Sequence, residues 1–357
     1  MLSLVIFLAA CVVLISASTI APPPAFYPRL LSPASPLAPL AVFEDRNATH
    51  LRLVISSRTA PPPAEAWAPL SVAASAPAAD GVDLANGHLL QLPSGALLCA
   101  YRHHDNSGPW GARVFRIQVS ESTDSGATWH PLATVAEGPT GVWEPFLFRA
   151  SGDAPGAVRV FYSAELTNGG EQDIVARGSG DGGATWGGDA TRVHTAGSRN
   201  GMPGVAELAD GSLLLVMEGF WGPHGWGAFT VNAARSFDGG ASWPQRQLVH
   251  SPAAGSNAGS PQVVAVGGGG GACVCYMTSE PPAGGGGAWP GNARLAAVRG
   301  AGGNASAPLA WGAPAGVPTL SATALWPSFF SGARVAYQTE EGGAAVADGA
   351  ACGEAAQ

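Results

Sequence analysis

Four glutamates in this sequence stand beside short apolar runs, and their chemistry makes them the first candidates for a functional site. They are Glu144, Glu165, Glu218 and Glu280, in a chain of 357 residues with only 25 acidic side chains. Two carboxyl groups in one site can hydrolyse a glycosidic bond, one acting as nucleophile and the other as proton donor and later as base. Whether any two of them meet depends on the elements that carry them.

A turn motif that occurs three times indicates what those elements are. The copies occupy residues 122–129, 179–186 and 236–243, follow the pattern Ser-x-Asp-x-Gly-Ala-(Thr/Ser)-Trp, and are 57 residues apart each time. A fixed period of this length is typical of repeat architectures. Within each copy the Asp can accept backbone N–H bonds across a hairpin turn, the Gly supplies a positive φ and the Trp packs beneath the loop.

A second periodic mark is a residue that precedes proline or glycine at the start of a predicted strand. It occurs at Asn86, Glu144, Met202 and Ser260, at intervals of 58 residues, and again at Trp326 after 66. Each mark is followed by a short apolar run, a turn and a stronger apolar run. This order of strands and turns makes one four-stranded blade. The pattern therefore predicts an all-β fold, a six-bladed β-propeller of four-stranded antiparallel blades.

The predicted domain boundaries are a signal peptide at residues 1–18, a Pro-rich linker at 19–40, the propeller at 41–345 and a disordered tail at 346–357. The signal peptide rests on an apolar run at residues 2–15 that is followed by small residues, and it predicts a secreted protein. An uncleaved signal anchor and a lipoprotein signal are the alternatives. Five blades can be traced, and the sixth must draw on residues near 41–58 together with chain from the other terminus.

Composition and spacing limit the partners that the chain can have. A net charge of −8 argues against nucleic acid, since no basic patch can neutralise phosphates. Adjacent His103 and His104 point to opposite faces of a strand, and no Cys or His spacing suits a metal, so neither a metal nor an organic cofactor is expected. The four cysteines outside the signal are expected to be buried free thiols. A monomer that binds an oligo- or polysaccharide and has no membrane span after signal cleavage is the resulting expectation.

Blade topology assigns many polar residues to one face of the propeller. The start of strand one and the end of strand two lie on the same face of a blade, and the repeat turns lie on the opposite face. First strands surround the central funnel of a propeller, where small ligands bind. The face away from the repeat turns therefore carries the candidates Asn86, Arg102, His103, Glu144, Glu165, Asn200, Glu218, Ser260 and Glu280.

Five segments resemble the exo-arabinanase family of the sialidase superfamily, whose Asp-box or BNR repeat the turn motif also resembles. The segments are residues 141–147, 201–205, 216–219, 259–264 and 276–280, and the similarity spans roughly residues 81–342. The resemblance implies a retaining exo-hydrolase with Glu144 as nucleophile and Glu218 as acid/base, their carboxyl groups about 5–5.5 Å apart. It also implies linear α-1,5-arabinan as the substrate.

The remaining candidates are predicted to bind substrate around that pair. They are Asn86, Arg102, His103, Trp143, Glu165, Asn200, Ser260, Glu280 and Tyr337. Simpler roles stay open for several of them: a structural salt bridge for Arg102, core packing for Trp143, and solvated rim charges for Glu165 and Glu280. The two catalytic candidates could likewise only hydrogen-bond sugar hydroxyls.

Two other functions remain as alternatives. An exo-sialidase resembles the chain in fold and repeat turns, but it would need Arg102, Arg199 and Arg334 as an arginine triad and Tyr337 as nucleophile. A non-catalytic propeller that binds glycans or protein is the other alternative, because fold alone does not settle function. Both expected glutamates at matched positions favour the hydrolase.

Overall fold

The computed structural model describes residues 17–34, 36–61, 64–109, 112–166, 170–188, 191–193, 198–220, 227–267, 271–281, 288–330, 334–348 and 352. Within these residues there are 25 β-strands and one short 3₁₀ helix at Ala78–Asp80. The strands form six antiparallel sheets, and the inner strands of successive sheets contact one another in a closed ring. The predicted all-β, six-bladed propeller is confirmed.

The six blades follow one another in chain order, and the strands of each run from inner to outer, with β1 (Ala17–Ala21) as the outer strand of the last blade. Blade 1 contains β2 (Phe26–Leu31), β3 (Leu40–Arg46), β4 (His50–Ala60) and β5 (Ala66–Pro77). Blade 2 contains β6 (Val82–Gln91), β7 (Leu97–Asp105), β8 (Val114–Ser122) and β9 (His130–Gly138). Blade 3 contains β10 (Val142–Phe148), β11 (Val158–Glu165), β12 (Gln172–Ser179) and β13 (Arg192–Val193).

The second half of the ring repeats this arrangement. Blade 4 contains β14 (Gly201–Glu207), β15 (Leu213–Gly219), β16 (Thr230–Ser236) and β17 (Gln245–His250). Blade 5 contains β18 (Ala258–Val266), β19 (Gly271–Thr278), β20 (Arg294–Ala301) and two short outer strands, β21 (Ala310–Trp311) and β22 (Ala315–Gly316). Blade 6 contains β23 (Ala324–Phe330), β24 (Arg334–Thr339), β25 (Ala344–Asp348) and β1.

Ring closure joins the two ends of the described chain. β1 pairs antiparallel with β25, with Ser18 opposite Val346, so blade 6 combines three C-terminal strands with one N-terminal strand. Glu65 of blade 1 accepts hydrogen bonds from Ser18 Oγ and from both terminal nitrogens of Arg334. Blades 1 and 6 are therefore joined by a buried charged contact as well as by packing.

The structure corrects the predicted boundaries at both ends of the propeller. Residues 19–40 are not a linker, because β1, β2 and the first residue of β3 lie in blades. The inner strand of blade 1 carries the same mark, Tyr27-Pro28, 59 residues before Asn86, and the surrounding prolines concealed it. The propeller also extends past residue 345 to the end of β25. Residues 1–16, 349–351 and 353–357 lie outside the described residues, so the signal peptide stays a prediction.

The cysteines differ from the expectation of free thiols. Cys273 on β19 and Cys352, which follows β25, form a disulfide with their Cα atoms 5.6 Å apart. Cys99 and Cys275 are buried free thiols, as expected. The disulfide links blade 5 to the chain that follows blade 6, so it acts on the same closure as the β1–β25 pairing.

The hydrophobic core lies between neighbouring blades. Leu98 and Ile117 of blade 2 pack with Val160 of blade 3, and Val216 of blade 4 packs with Val274 of blade 5. All five side chains are fully buried, and burial of each stabilises the fold by about 1.5–3 kcal/mol. The blades therefore stabilise one another, which fixes the positions of the strand ends around the axis.

The three repeat turns share one set of hydrogen bonds. In the first, Asp124 Oδ1 accepts from Ser122 Oγ at 2.8 Å and from Thr128 N at 2.9 Å, and Gly126 has a φ of +88°. The other two turns repeat the contacts from the Thr185 and Ser242 backbone N–H groups at 2.9 Å. The Asp and Gly therefore have the turn-forming roles predicted for them.

The disulfide yields a testable prediction about ring closure. We expect Cys352→Ser to lower the free energy of unfolding by about 2–4 kcal/mol, since a bridge across a long loop restricts the unfolded chain. Denaturant unfolding of the variant and of the wild type, with and without reductant, measures the difference. The wild type in reductant should match the variant, and alkylation of the unfolded protein without reductant should label Cys99 and Cys275 but not Cys273 or Cys352. Label on Cys352 in the unfolded, unreduced protein would contradict the bridge.

Candidate active site

Each of the six inner strands has one residue near its start in the left-handed region of φ. The φ values are 51° for Tyr27, 56° for Asn86, 48° for Glu144, 56° for Met202, 48° for Ser260 and 53° for Trp326. At each residue the pairing with the second strand shifts, which marks a β-bulge. A left-handed backbone conformation costs a non-glycine residue about 1–3 kcal/mol of folding free energy, and residues in this conformation are concentrated at functional sites. We call these six residues the bulge ring.

The ends of the second strands supply another six residues, each paired with the residue before a bulge. They are Glu44, Arg102, Ser163, Glu218, Met277 and Gln338. Glu44 Oε1 accepts a hydrogen bond from Asn86 N at 2.7 Å. Glu218 Oε2 accepts one from Ser260 N at 2.7 Å. Side chains of one blade therefore hold the bulge of the next.

Glu144 is the bulge residue of blade 3, and its carboxylate reaches blade 4. Its Oε2 accepts hydrogen bonds from Ser163 Oγ at 2.9 Å and from Met202 N at 3.3 Å. Ser163 lies on the second strand of the same blade, and Met202 is the bulge residue of the next. These two donors orient the carboxylate at the cavity that Glu144 lines.

Glu218 lies on β15 of blade 4, where it is paired opposite Gly201. A Cβ on Gly201 would lie 3.3 Å from Glu218 Oε1, and Gly201 directly precedes Met202, whose N–H bonds Glu144. A Cβ on Gly259 would lie only 2.4 Å from Glu218 Oε2. The two carboxylates therefore contact consecutive residues of one strand, and two glycines make room for the second of them.

Burial raises the pKa of Glu218 to about 7, and the negative charge of Glu144 adds to the shift. The hydrogen bond from Ser260 N and the positive charge of Arg199 act in the opposite direction. A large share of Glu218 therefore holds its proton at neutral pH. A carboxyl group in this state beside a second carboxyl group can act as a general acid.

A cavity of about 410 Å³ lies between the inner strands; Glu144 lines it, whereas Glu218 is not among its lining residues. Its lining residues are Phe26, Tyr27, Glu44, Arg46, Asn86, Arg102, Glu144, Met202, Trp326 and Gln338. Tyr27 Oη of blade 1 lies 3.8 Å from Met202 Sδ of the opposite blade 4, and the Tyr27 and Trp326 rings are 5.7 Å apart. Apolar and aromatic groups beside charged ones suit a small polar ligand with an apolar face, such as a sugar.

Blades 1 and 2 give this cavity a wall of alternating charges that the sequence pattern did not reveal. Arg46 is ion-paired with Glu44, and Arg102 Nη2 lies 2.7 Å from Asp83 Oδ2. Arg46 Nη1 lies 4.0 Å from Asp83 Oδ1, so the four residues form one network. Of these four residues, only Arg102 was among the binding residues predicted from the sequence. The mark at Tyr27-Pro28 could have revealed Glu44, because it aligns the sequence of blade 1 with those of the other blades. In that alignment Glu44 stands at the end of the second strand.

Three of the predicted binding residues lie at the site. Asn86 and Arg102 line the cavity, and Arg102 has the salt bridge that was left open as its simpler role. Ser260 donates its backbone N–H to Glu218. Its own hydroxyl is buried and has no hydrogen-bond partner among the described residues.

Two further candidates adjoin the site but point away from the cavity. His103 follows Arg102 on β7, so it faces the other side of the sheet, where it lines a separate groove with Trp129. Trp143 precedes Glu144 and packs against His104, with ring centroids 4.7 Å apart. The Arg102 guanidinium lies 5.1 Å from the centre of the Trp143 ring. Core packing therefore accounts for Trp143.

Glu165 and Asn200 have local polar contacts near Glu218. Glu165 Oε1 lies 3.4 Å from Arg199 Nη2. The positive charge of Arg199 in turn acts to lower the pKa of Glu218. Asn200 is fully buried, and its Nδ2 donates to Ser198 Oγ at 3.0 Å. Neither residue lines the central cavity.

Glu280 and Tyr337 lie outside the cavity. Glu280 Oε2 is 2.7 Å from His250 Nε2, and its Oε1 accepts from Ala253 N at 2.8 Å. Tyr337 is fully buried in the core, and its Oη accepts from Leu320 N at 2.7 Å. Because Gln338 faces the cavity, its neighbour Tyr337 faces the packing between blades.

The chain is similar in structure to three solved proteins. The first is the α-L-arabinanase of Penicillium chrysogenum complexed with arabinobiose, with a TM-score of 0.65 and 20% identity over 93% of this chain and 97% of that chain. The second is the GH93 α-L-arabinofuranosidase of Fusarium graminearum with arabinobiose, with a TM-score of 0.65 and 20% identity over 93% of this chain and 96% of that chain. The third is the NanB sialidase of Streptococcus pneumoniae, with a TM-score of 0.65 and 10% identity over 90% of this chain and 68% of that chain. The similarity shows that the chain shares the fold of these proteins. No protein-family model and no curated protein matches it.

Two other kinds of feature bear on the function of the described part of the chain. It contains no group of three or more His, Cys, Asp or Glu side chains arranged to hold a metal ion. None of its helices is long and apolar enough to cross a membrane.

The raised pKa of Glu218 predicts how stability depends on pH. The folded state binds this proton more tightly than the unfolded state, whose value is near 4.5. The contribution is therefore fully present below about pH 4.5 and is lost as the pH rises through about 7. Compared with Glu218→Gln, the wild type should thus become relatively less stable from pH 4 to pH 8, as measured by denaturant unfolding. Glu144→Gln should lower the pKa of Glu218, and a pH-independent difference would contradict the assignment.

Proposed function

We propose that the protein is a retaining exo-glycoside hydrolase that removes terminal units from an α-1,5-arabinan-like polysaccharide. Glu144 is the nucleophile, and Glu218 is the acid/base. The observation that carries this proposal is the meeting of the two carboxylates at Gly201 and Met202, one oriented by two donors and the other able to hold a proton near neutral pH. Similarity in fold to an arabinanase and an arabinofuranosidase, each with arabinobiose, supports this substrate class.

The reaction follows from these roles as a double displacement. Glu144 attacks the anomeric carbon while the bond to the leaving oxygen breaks and Glu218 gives that oxygen its proton. Glu218, now a carboxylate, then takes a proton from water as the water oxygen attacks the same carbon and releases Glu144. Two inversions give net retention, and Glu218 regains its proton.

A neutral chain end fits the cavity better than an acidic sugar. Tyr27 and Met202 meet across the axis, so a polysaccharide enters by its end rather than passing through the ring. The two guanidinium groups of the wall are already paired with Glu44 and Asp83. A sugar carboxylate would have to compete with those partners and would face Glu144 as well.

The same proposal includes export and a monomeric state. The apolar run at residues 2–15 supports a secretory route. An extracellular polysaccharide would be accessible to an exported enzyme. The six blades close on themselves, and each completes its own four-stranded sheet or adds one short strand.

The positions of the arginines make an exo-sialidase the weaker alternative. Arg102, Arg199 and Arg334 bond Asp83, Glu165 and Glu65 respectively, so the three do not converge. Tyr337 is buried in the core rather than at the cavity. A propeller that only binds glycans remains a distinct outcome of the experiment below.

Substitution of the two carboxylates tests the proposed reaction. We expect release of arabino-oligosaccharides from linear arabinan by the wild type. Glu218→Gln should reduce kcat by about 10²–10⁴-fold, since it removes the proton donor, and Glu144→Gln should reduce it at least as much. Glu207→Gln is the matched control, because Glu207 lies at the other end of β14 and bonds Ser151. Initial rates by product chromatography, with a fluorogenic sialoside in parallel, give the comparison.

The stereochemistry of the product decides between mechanisms. The newly released reducing end should first appear with the α configuration of the substrate, as seen by proton NMR before mutarotation. A β product would exclude Glu144 as nucleophile. Sialate release, or binding of arabinan without turnover, would shift the assignment to one of the alternatives.

Gly259→Ala provides an independent test of the position of Glu218. The added Cβ would lie 2.4 Å from Glu218 Oε2, so the carboxyl group must move. Displacement of a catalytic group by about 1 Å can cost 10²-fold in rate, and we expect kcat to fall by that order. Gly138→Ala is the control, since its Cβ would have nothing within 4 Å. Equal activity of the two folded variants would show that Glu218 is not the proton donor.

A further inference from the structure

Glu44 lines the cavity together with Glu144, and the proposed double displacement does not use it. We propose that Glu44, together with Arg46, binds hydroxyl groups of the terminal sugar and so determines which sugar the site accepts. This inference rests on the proposed hydrolase function and names the residues that recognise its substrate.

The position of Glu44 in the repeat resembles that of Glu218. Each is paired opposite the residue before a bulge, and each accepts a hydrogen bond from the bulge residue of the next blade at 2.7 Å. Glu44 differs in having the Arg46 guanidinium on its Oε2. Burial raises the pKa of Glu44, and the Arg46 cation and the hydrogen bond from Asn86 N oppose that shift. Both oxygens of the carboxyl group are already held by these two donors, so this repeat position suits recognition rather than acid catalysis.

The hydrogen-bonding capacity of the wall matches that of a sugar hydroxyl. An ionised carboxylate can accept about four hydrogen bonds, and a guanidinium offers five donors. Glu44 lines the cavity with only 3% of its surface exposed, and the buried Arg46 Nε and Asn86 Oδ1 beside it have no partner among the described residues. A hydroxyl group donates to one such group while it accepts from another.

The location of the wall identifies the sugar unit that it contacts. Glu218 gives its proton to the leaving oxygen, so the leaving group lies on the side of blades 4 and 5. Glu44 and Arg46 lie on blade 1, and blade 2 with Asn86 stands between them and Glu144 of blade 3. The wall therefore faces the unit that is transferred to Glu144, which is the terminal part of the chain.

Glu44→Gln is the sharpest variant, because the amide oxygen can still accept from Asn86 N while the charge is removed. We expect KM for short linear α-1,5-arabino-oligosaccharides to rise about ten- to a hundredfold, the usual range for loss of a charged hydrogen bond. We expect kcat to change much less. Substrates deoxygenated at single positions of the terminal unit should reveal which hydroxyl is bound. If a hydroxyl group is bound by Glu44, its removal should weaken binding to the wild type but hardly to Glu44→Gln. The effects of removing two interacting partners are not additive.

Glu65→Gln is the matched control. Glu65 is another buried, ion-paired glutamate, but it joins blades 1 and 6 away from the cavity. Glu65→Gln should leave KM unchanged. The inference would be overturned if the effects of Glu44→Gln and of the missing hydroxyl on binding were additive for every deoxy substrate. Calorimetric binding of arabinobiose separates the two proposals. Binding that Glu44→Gln weakens in a protein without turnover would refute the hydrolase but support the Glu44 site, whereas normal turnover with an unchanged KM would refute only the Glu44 site.

Discussion

Backbone strain at the six bulges is the constraint on which the rest of the site depends. Each bulge places a non-glycine residue in the left-handed region, and this costs about 1–3 kcal/mol. Packing between blades and hydrogen bonds from the preceding blade hold that conformation. Glu44 and Glu218 are among the acceptors of those bonds. The site therefore uses carboxylates that also stabilise the inner strands, so their positions are fixed before any ligand arrives.

The chemistry of Glu218 follows from the same arrangement. A single backbone donor from Ser260 is too little to offset burial and the charge of Glu144, so the proton is retained to near neutral pH. Gly201 and Gly259 allow the carboxyl group to lie against two neighbouring strands. Larger residues at either glycine would push Glu218 outward, where water would lower its pKa again.

The repeat and the blade topology could be predicted from the sequence, because the turn motif and the bulge mark are local patterns. These patterns gave several carboxylates on one face, and only the resemblance of short segments to a known family singled out Glu144 and Glu218. Prediction failed where pairing is long-range. Nothing near Ala17–Ala21 indicates that β1 pairs with β25, and the prolines around Tyr27 hid the first bulge. His103 and Tyr337 were misplaced because adjacent strand residues face opposite sides, so an error of one residue moves a side chain from the cavity to another surface.

Blade 3 lacks a contact that blades 1 and 4 share, and this difference brings two carboxylates to one strand. At blades 1 and 4 the second strand ends in a glutamate that bonds the next bulge. At blade 3 the equivalent residue is Ser163, whose side chain is shorter. Its hydroxyl instead donates to Glu144, and the Met202 N–H of the next bulge bonds Glu144 as well. Glu144 thus takes the place that Glu44 and Glu218 occupy elsewhere, which brings it to the strand that Glu218 also contacts. The short side chain of Ser163, together with a glutamate at the bulge, therefore brings two carboxylates to one strand.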